Sequence, residues 1–383
     1  MLHRQKAKTA SDRVGLDIGS HSITGVEVVQ LASEIVVRSA GSLTLPGVKG
    51  KQDVPDNGVV VQTIKNLWSS ARFTSKRVVL ALPPEAVYTK WLHLEASSEE
   101  ELDQTARAAA ARGAPFPVSN AITDYRILSS RGSASRNVHF LILVAASASA
   151  VDGLLNTAEA AGLEPIAIDI GAAATLRSFE MQKRTTSPLW SGQPLAHCII
   201  GARSTTIAVV RSNTLEFART VPVGGNDFTE CVVEATGASW TEADKIKSSR
   251  GSRLSNDGTL MASYNNEELK IPCENVVGRL AREIQRSMKF FRSQFAEGSY
   301  LGMIGAATLS GGGALMRGID TCLQEQGIEV ASIVNPFAGF SVDAEGSEIH
   351  DISDKATAYT TAVGLAIGDY MYNENTKSSG IAA

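Results

Sequence analysis

The sequence predicts an α/β fold of two related halves with a ligand cleft between them, and three observations carry that expectation. A hairpin at Val14 to Gln30, VGLDIGSHSITGVEVVQ, recurs at His197 to Arg211, HCIIGARSTTIAVVR, with Gly201 laid on Gly19, Ser204 on Ser22 and Thr206 on Thr24. Each copy is followed by another strand, Glu34 to Leu45 in the first case and Thr214 to Val221 in the second. Late in the chain a strand runs into Gly311, Gly312 and Gly313. A duplicated unit points to two domains, and clefts between domains are where ligands bind.

A length of 383 residues fits about two domains, and 43% apolar residues is ample for a core in each. The net charge of −4 argues against general nucleic-acid binding. No apolar run reaches about 18 residues and the start, MLHRQKAKTA, is polar, so a secreted or membrane-spanning chain is not expected. Cys198, Cys231, Cys273 and Cys322 are scattered without CxxC spacing, which suits reduced thiols and a cytoplasmic setting.

In the first hairpin, small and hydroxyl residues (Gly19, Ser20, His21, Ser22) let backbone N–H groups converge as an anion nest. Asp17, at the strand's end, is placed to hold a hydrated divalent cation facing that anion, so phosphate with Mg²⁺ is the chemical reading. A plain turn has the same composition. The strand at Glu34 to Leu45 completes a three-strand meander. Val60, Ile64, Leu67 and Trp68 then recur at helical spacing, and Arg77 to Pro84 reads as a buried strand stopped by its prolines.

From Ala86 to Leu163 the pattern is a compact α+β insert. Thr89 to Glu95 is a strand, and Ser98 with Glu101 forms a capping box for an Ala-rich helix ending at Gly113. Two strands follow, around Ala121 to Leu128 and Val138 to Ala146. A helix with Val151, Leu154, Leu155, Ala158 and Ala161 on one face is closed by Gly162.

In the second half, Ser248 to Leu269 is polar and rich in Gly, Ser and Asn, and reads as a mobile loop. Val277, Leu280, Ile284, Met288, Phe291 and Phe295 form the apolar face of an amphipathic helix. Its other face carries Arg279, Arg282, Arg286, Lys289 and Arg292, a solvated or nucleotide-facing side. The three glycines either let a ligand approach the backbone or simply lead into a helix bearing Leu315, Ile319 and Leu323. Asp354 to Gly368 is a small-residue helix able to pack closely, and the tail from Tyr372 reads as frayed.

Two such hairpins, a GGG turn and a small-residue helix, in that order, resemble the actin-like nucleotide-binding fold, a duplicated RNase H-like two-domain architecture. Within it, RGAPFPVSNAITDYRI (Arg112 to Ile127), TVPVGGNDFT (Thr220 to Thr229) and EIQRSMKFFRSQ (Glu283 to Gln294) resemble the PilM family of type IV pilus assembly proteins. The cell-division protein FtsA is the next likeness. The resemblance implies a nucleotide cleft between two domains, each with a smaller α+β subdomain: 12–85, 164–190 and 355–372 with the insert 86–163, then 195–228 and 300–354 with 229–299. It implies ATP or ADP with Mg²⁺ as ligand, held weakly or lost. Asp17 would hold the metal through water, and Gly19, Ser20, His21 and Ser22 would line one phosphate loop. Gly201, Ser204 and Thr205 would line the other. Asp244 and Lys247 would contact ribose and base, and the Gly311 to Gly313 turn would back the adenine.

The chain departs from that pattern in three places. Thr24 stands where a phosphate-facing lysine is usual, Ile199 where the second loop's aspartate is usual, and Gly171 where an acidic residue positions the attacking water. Asp169, two residues earlier, is the stand-in for that catalytic role. The implied function is a cytoplasmic scaffold at the inner-membrane face of a type IV pilus-like system, with little or no ATP hydrolysis. Its partner would be the N-terminal cytoplasmic peptide of a bitopic, PilN-like membrane protein. Membrane association would run through that partner, nucleic acid is not expected, and self-association is open. The alternatives are an active ATPase or small-molecule kinase of the same fold, or an FtsA-like filament protein.

Overall fold

The computed structural model describes residues 12–31, 34–116, 121–133, 136–186, 193–211, 214–265, 267–295, 299, 302–342 and 352–368. The tail beyond Tyr372 lies outside them. The first half opens with β1 (Arg13–Ile18), β2 (Ser22–Leu31) and β3 (Glu34–Thr44), an antiparallel meander, followed by α1 (Asn57–Ser70) and β4 (Arg77–Leu82). Asp56 caps α1 by accepting the Gly58 N–H at 2.7 Å. Val14, Leu16, Val78 and Leu80 alternate inward along β1 and β4 and close with Ile64 and Leu67 of α1 into one core.

The insert comprises β5 (Val87–Ala96), α2 (Glu99–Gly113), β6 (Ala121–Ser133) and β7 (Arg136–Ser147). Its sheet runs β5-β7-β6 and packs α2 on one face through Leu94, Ala106, Ala110, Leu141 and Leu143. Ser98 caps α2, accepting the Glu101 N–H at 3.2 Å, while the Glu101 carboxylate takes the Ser97 N–H at 2.7 Å. The capping box therefore closes one residue further out than the spacing suggests. The other face of the sheet turns to the second half, where Trp91 of the edge strand β5 meets the Phe291 ring edge-on at 5.4 Å. Next, α3 (Ala148–Ala160) packs on the first half's core rather than on the insert sheet, and leads to β8 (Glu164–Ile170) and α4 (Gly171–Thr186).

The second half begins with β9 (Leu195–Ile200), β10 (Thr205–Arg211) and β11 (Thr214–Val221), then α5 (Gly225–Thr236) and α6 (Trp240–Lys247). Where the sequence reads as a mobile loop, the structure places three short strands, β12 (Arg253–Leu254), β13 (Thr259–Tyr264) and β14 (Glu267–Pro272), paired antiparallel. Only alternate residues (Leu254, Leu260, Ala262, Ile271) face the core, and the polar ones that dominate the composition face out. The amphipathic α7 (Glu274–Arg292) is followed by β15 (Ala307–Ser310), α8 (Ile319–Glu325), β16 (Val330–Ile333), β17 (Ser341–Val342) and α9 (Thr360–Ala366).

Two large sheets result, ordered β17-β3-β2-β1-β4-β8 and β11-β10-β9-β15-β16. In each, the antiparallel meander joins a parallel partner beside its first strand: β4 beside β1, β15 beside β9. Late in the chain, α9 returns to the first half. A Cβ added at Gly364 would sit 1.7 Å from the Ala174 carbonyl of α4, and one at Gly15 would sit 2.0 Å from the Ala362 carbonyl. Glycine at both positions lets α9 lie directly on β1 and α4.

Candidate nucleotide cleft

The two hairpins are the same object built twice. Gly19 N–H donates to the Ser22 carbonyl at 3.0 Å, and Gly201 N–H donates to the Ser204 carbonyl at 2.9 Å. Asp17 pairs with Thr24 across the first hairpin, as Ile199 pairs with Thr206 across the second. Even the third strands match: Thr24 Oγ1 lies 3.1 Å from Ser42 Oγ, and Thr206 Oγ1 lies 3.1 Å from Thr220 Oγ1. Between the anchoring bonds, the amides of Ser20, His21, Ala202 and Arg203 donate to no backbone carbonyl among the described residues. Four such amides in two matched turns suit an anion's oxygens.

Asp17 stands at the end of β1 beside the first turn, and burial pushes its carboxyl up to about 6. Among the described residues no cation pairs with it, and Thr24, opposite it in the hairpin, is buried against Ser42. Ile199 offers only hydrocarbon and packs partly against the core that contains Phe179 and Leu195. Among the described residues no three of His, Cys, Asp and Glu gather as a metal site. A Mg²⁺ would rely on Asp17, water and phosphate oxygens, which is how that ion is commonly held.

Across the cleft, His21 Nε2 faces Asp244 Oδ2 of α6 at 3.7 Å. Burial lowers the His21 pKa, and Lys247 lowers it further against the pull of Asp244. Burial disfavours a charged Asp244, but the Lys247 charge and hydrogen bond prevail and hold its carboxyl below the usual range. Lys247 Nζ donates to Asp244 Oδ1 at 2.7 Å, Thr229 Oγ1 at 2.7 Å and the Gly225 carbonyl at 3.2 Å, so its three donors are all engaged.

Two further residues of the cleft carry no signal in the sequence. Glu85, just past the prolines that stop β4, accepts from Ser204 Oγ at 2.8 Å and so ties the second turn to the first half. Lys51 reaches Asp227 at 2.6 Å and Glu230 at 3.2 Å on α5. These acids outweigh burial and hold its pKa up. Asp227 also binds Arg279, the first cation of the α7 stripe, and Arg286 pairs with Glu283 at 3.0 Å. Part of that stripe is therefore structural.

The three glycines do different work. Gly311 has φ +86° and lies against the Ile200 carbonyl, while a Cβ on Gly313 would meet the Ile200 side chain at 2.2 Å. A Cβ on Gly312 meets nothing within 4 Å. The turn continues as a short 3₁₀ segment, Gly312–Leu315, and α8 starts only after Gly318 at φ +84°. The expected single helix bearing Leu315, Ile319 and Leu323 is thus corrected: Gly318 breaks it, and Leu315 is exposed. Asp169 is bound to Arg177, and its other oxygen accepts the Ile170 N–H at 2.7 Å. Arg177 also donates to the Gly364 carbonyl at 2.9 Å, so Asp169 is held toward α9.

The family described as type IV pilus assembly protein PilM matches residues 15–370. Among solved structures, the chain resembles one from a PilM–PilN type IV pilus biogenesis complex at 25% identity and TM-score 0.76, covering 94% of this chain and 98% of that one. It also resembles the ethanolamine utilization protein EutJ from Carboxydothermus hydrogenoformans (14% identity, TM-score 0.52, 93% and 89% of the two chains). MreB5 of Spiroplasma citri, bound to ADP, matches at 14% identity and TM-score 0.51 over 96% and 99%. These last two likenesses concern the fold alone, and they identify it as actin-like. Comparison with curated proteins gives no match. No helix among the described residues is long and apolar enough to cross a membrane.

Proposed function

The chain belongs to the PilM family of type IV pilus assembly proteins, and from that premise we propose that it is an actin-like scaffold that docks the short N-terminal cytoplasmic peptide of a PilN-like inner-membrane protein. One observation carries the reading: likeness to the PilM of a PilM–PilN complex extends over 98% of that chain, insert and cleft included. The insert would form one wall of the peptide groove. In support, β6 is an edge strand, and Ile122, Ile127 and Val138 of the insert sheet are exposed. An unpaired edge with apolar side chains is suited to receiving an extended peptide. The protein would work at the cytoplasmic face of the inner membrane, attached through its partner.

The cleft, on this reading, binds ATP or ADP weakly with Mg²⁺ and turns it over little. Its open turn amides and Asp17 favour binding. Thr24, Ile199 and Gly171 remove the groups on which charge neutralisation and water positioning would depend. Docking is tested by crosslinking the full chain to a PilN-like membrane protein. Crosslinks on the insert support the groove, whereas crosslinks confined to Ser248 to Leu269 refute it. Nucleotide released from purified protein on acid denaturation tests the cleft.

A further inference from the structure

Of the cations around the cleft, Lys247, Lys51 and Arg279 are each committed to carboxylates or carbonyls of their own half or its partner. Arg203 is different. It is half-buried in the second turn, its Nε is shut off from solvent without a hydrogen-bond partner, and no carboxylate lies within ion-pair distance among the described residues. The neighbouring Ser204 takes up one oxygen of Glu85, which leaves that acid to the hydroxyl. Keeping a guanidinium N–H from water unbonded costs stability, and the Arg203 side chain has no hydrogen bond or ion pair among the described residues to offset it.

Arg203 is the third residue of its turn, the counterpart of His21 in the first, as the matched Gly-to-Ser bonds establish. His21 reaches across the cleft to the opposite half. Arg203 therefore puts a cation on the second turn, whereas the first turn has none, because Thr24 is bonded to Ser42 and cannot neutralise a phosphate.

We infer that Arg203 supplies the phosphate-facing cation of this cleft, bonding the polyphosphate oxygens of a nucleoside di- or triphosphate from the second turn instead of the first. The inference rests on the nucleotide reading of the cleft and adds to it the residue that holds the ligand's charge. A guanidinium fork matches two phosphate oxygens at once.

Calorimetry on the full chain with MgATP, tripolyphosphate and adenosine tests it. Arg203→Ala should weaken MgATP and tripolyphosphate by about ten- to a hundredfold and leave adenosine unaffected. Thr24→Lys added to Arg203→Ala should restore part of the loss. Arg203→Gln replaces the alanine variant if that one does not fold. Equal affinity of wild type and Arg203 variants for both phosphate probes would overturn the inference and leave the nucleotide reading standing. Tripolyphosphate bound through Arg203 without ATP binding would keep the inference and remove the nucleotide. Neither probe giving heat or a thermal shift on wild type would remove both.

Discussion

His21 Nε2 lies 3.7 Å from Asp244 Oδ2, so the first hairpin turn and α6 of the second half meet across the cleft. Asp244 simultaneously accepts from Lys247 at 2.7 Å, and this one carboxylate couples a cross-cleft contact to the internal wiring of α5 and α6. Asp244→Ala should therefore leave Lys247 charged with only neutral partners. We expect a loss of about 1–3 kcal/mol in urea unfolding, with Asp244→Asn losing less.

Gly312 and Gly313 should part company on substitution. Gly313→Ala must push Ile200, so a destabilisation of about 1–3 kcal/mol is expected. Gly312→Ala meets open space and should melt like wild type. Gly312→Leu should abolish nucleotide binding without unfolding the chain, which thermal melting and calorimetry together would reveal.

The Mg²⁺ dependence of nucleotide binding should grow with pH. Burial holds the Asp17 carboxyl near 6, so it is neutral below that value and able to attract the ion above it. Without metal the sign reverses: ionising Asp17 costs the fold, and its contribution to stability is lost as pH rises from 3.8 through about 6. Asp17→Ala should bind nucleotide with little response to Mg²⁺ at any pH between 5 and about 8.

His197 is buried between Thr308 Oγ1 at 2.6 Å and Ser310 Oγ at 3.0 Å, and burial lowers its pKa from 6.5 to about 4. The fold binds fewer protons there than the unfolded chain does. Stability should thus be lost as pH falls from 6.5 toward about 4, by roughly 3 kcal/mol in all. Denaturant titrations of wild type and His197→Gln across that window isolate the effect from the opposite slope of Asp17.

Any ATP hydrolysis should be very slow, since Ile199 can neither order Mg²⁺-bound water nor accept a proton. A steady-state turnover near ~10 s⁻¹, the median for enzymes, would contradict this.

What the sequence makes legible here is whatever repeats or alternates along the chain. The hairpin of Gly19 and that of Gly201 align by eye, and the structure gives them the same register down to the Thr24 and Thr206 hydroxyl pairs. The three strands between 253 and 272 escape because a sheet with one wet face carries mostly polar residues, which read as loop. Glu85 and Lys51 escape because their partners, Ser204 and Asp227, are over a hundred residues away, and only the fold brings them together. Asp169 looks free in the sequence, whereas α4 returns Arg177 to it from eight positions on. Arg203 had a signal: the same alignment that pairs Gly201 with Gly19 puts an arginine opposite His21.

The seat of α9 on Gly15 and Ala174 has a consequence for synthesis. The surfaces of β1 and α4 that it covers leave the ribosome long before Thr360 does, by an interval on the order of tens of seconds at ordinary elongation rates. Through that interval the first half carries a bare apolar seam while the second half, whose strands and helices are contiguous in the chain, is made, and it can close once β16 has emerged, shortly before α9. A nascent chain would therefore complete its later half first, and a message cut short before α9 would release a protein with its opening sheet uncovered, a substrate for chaperones and proteases.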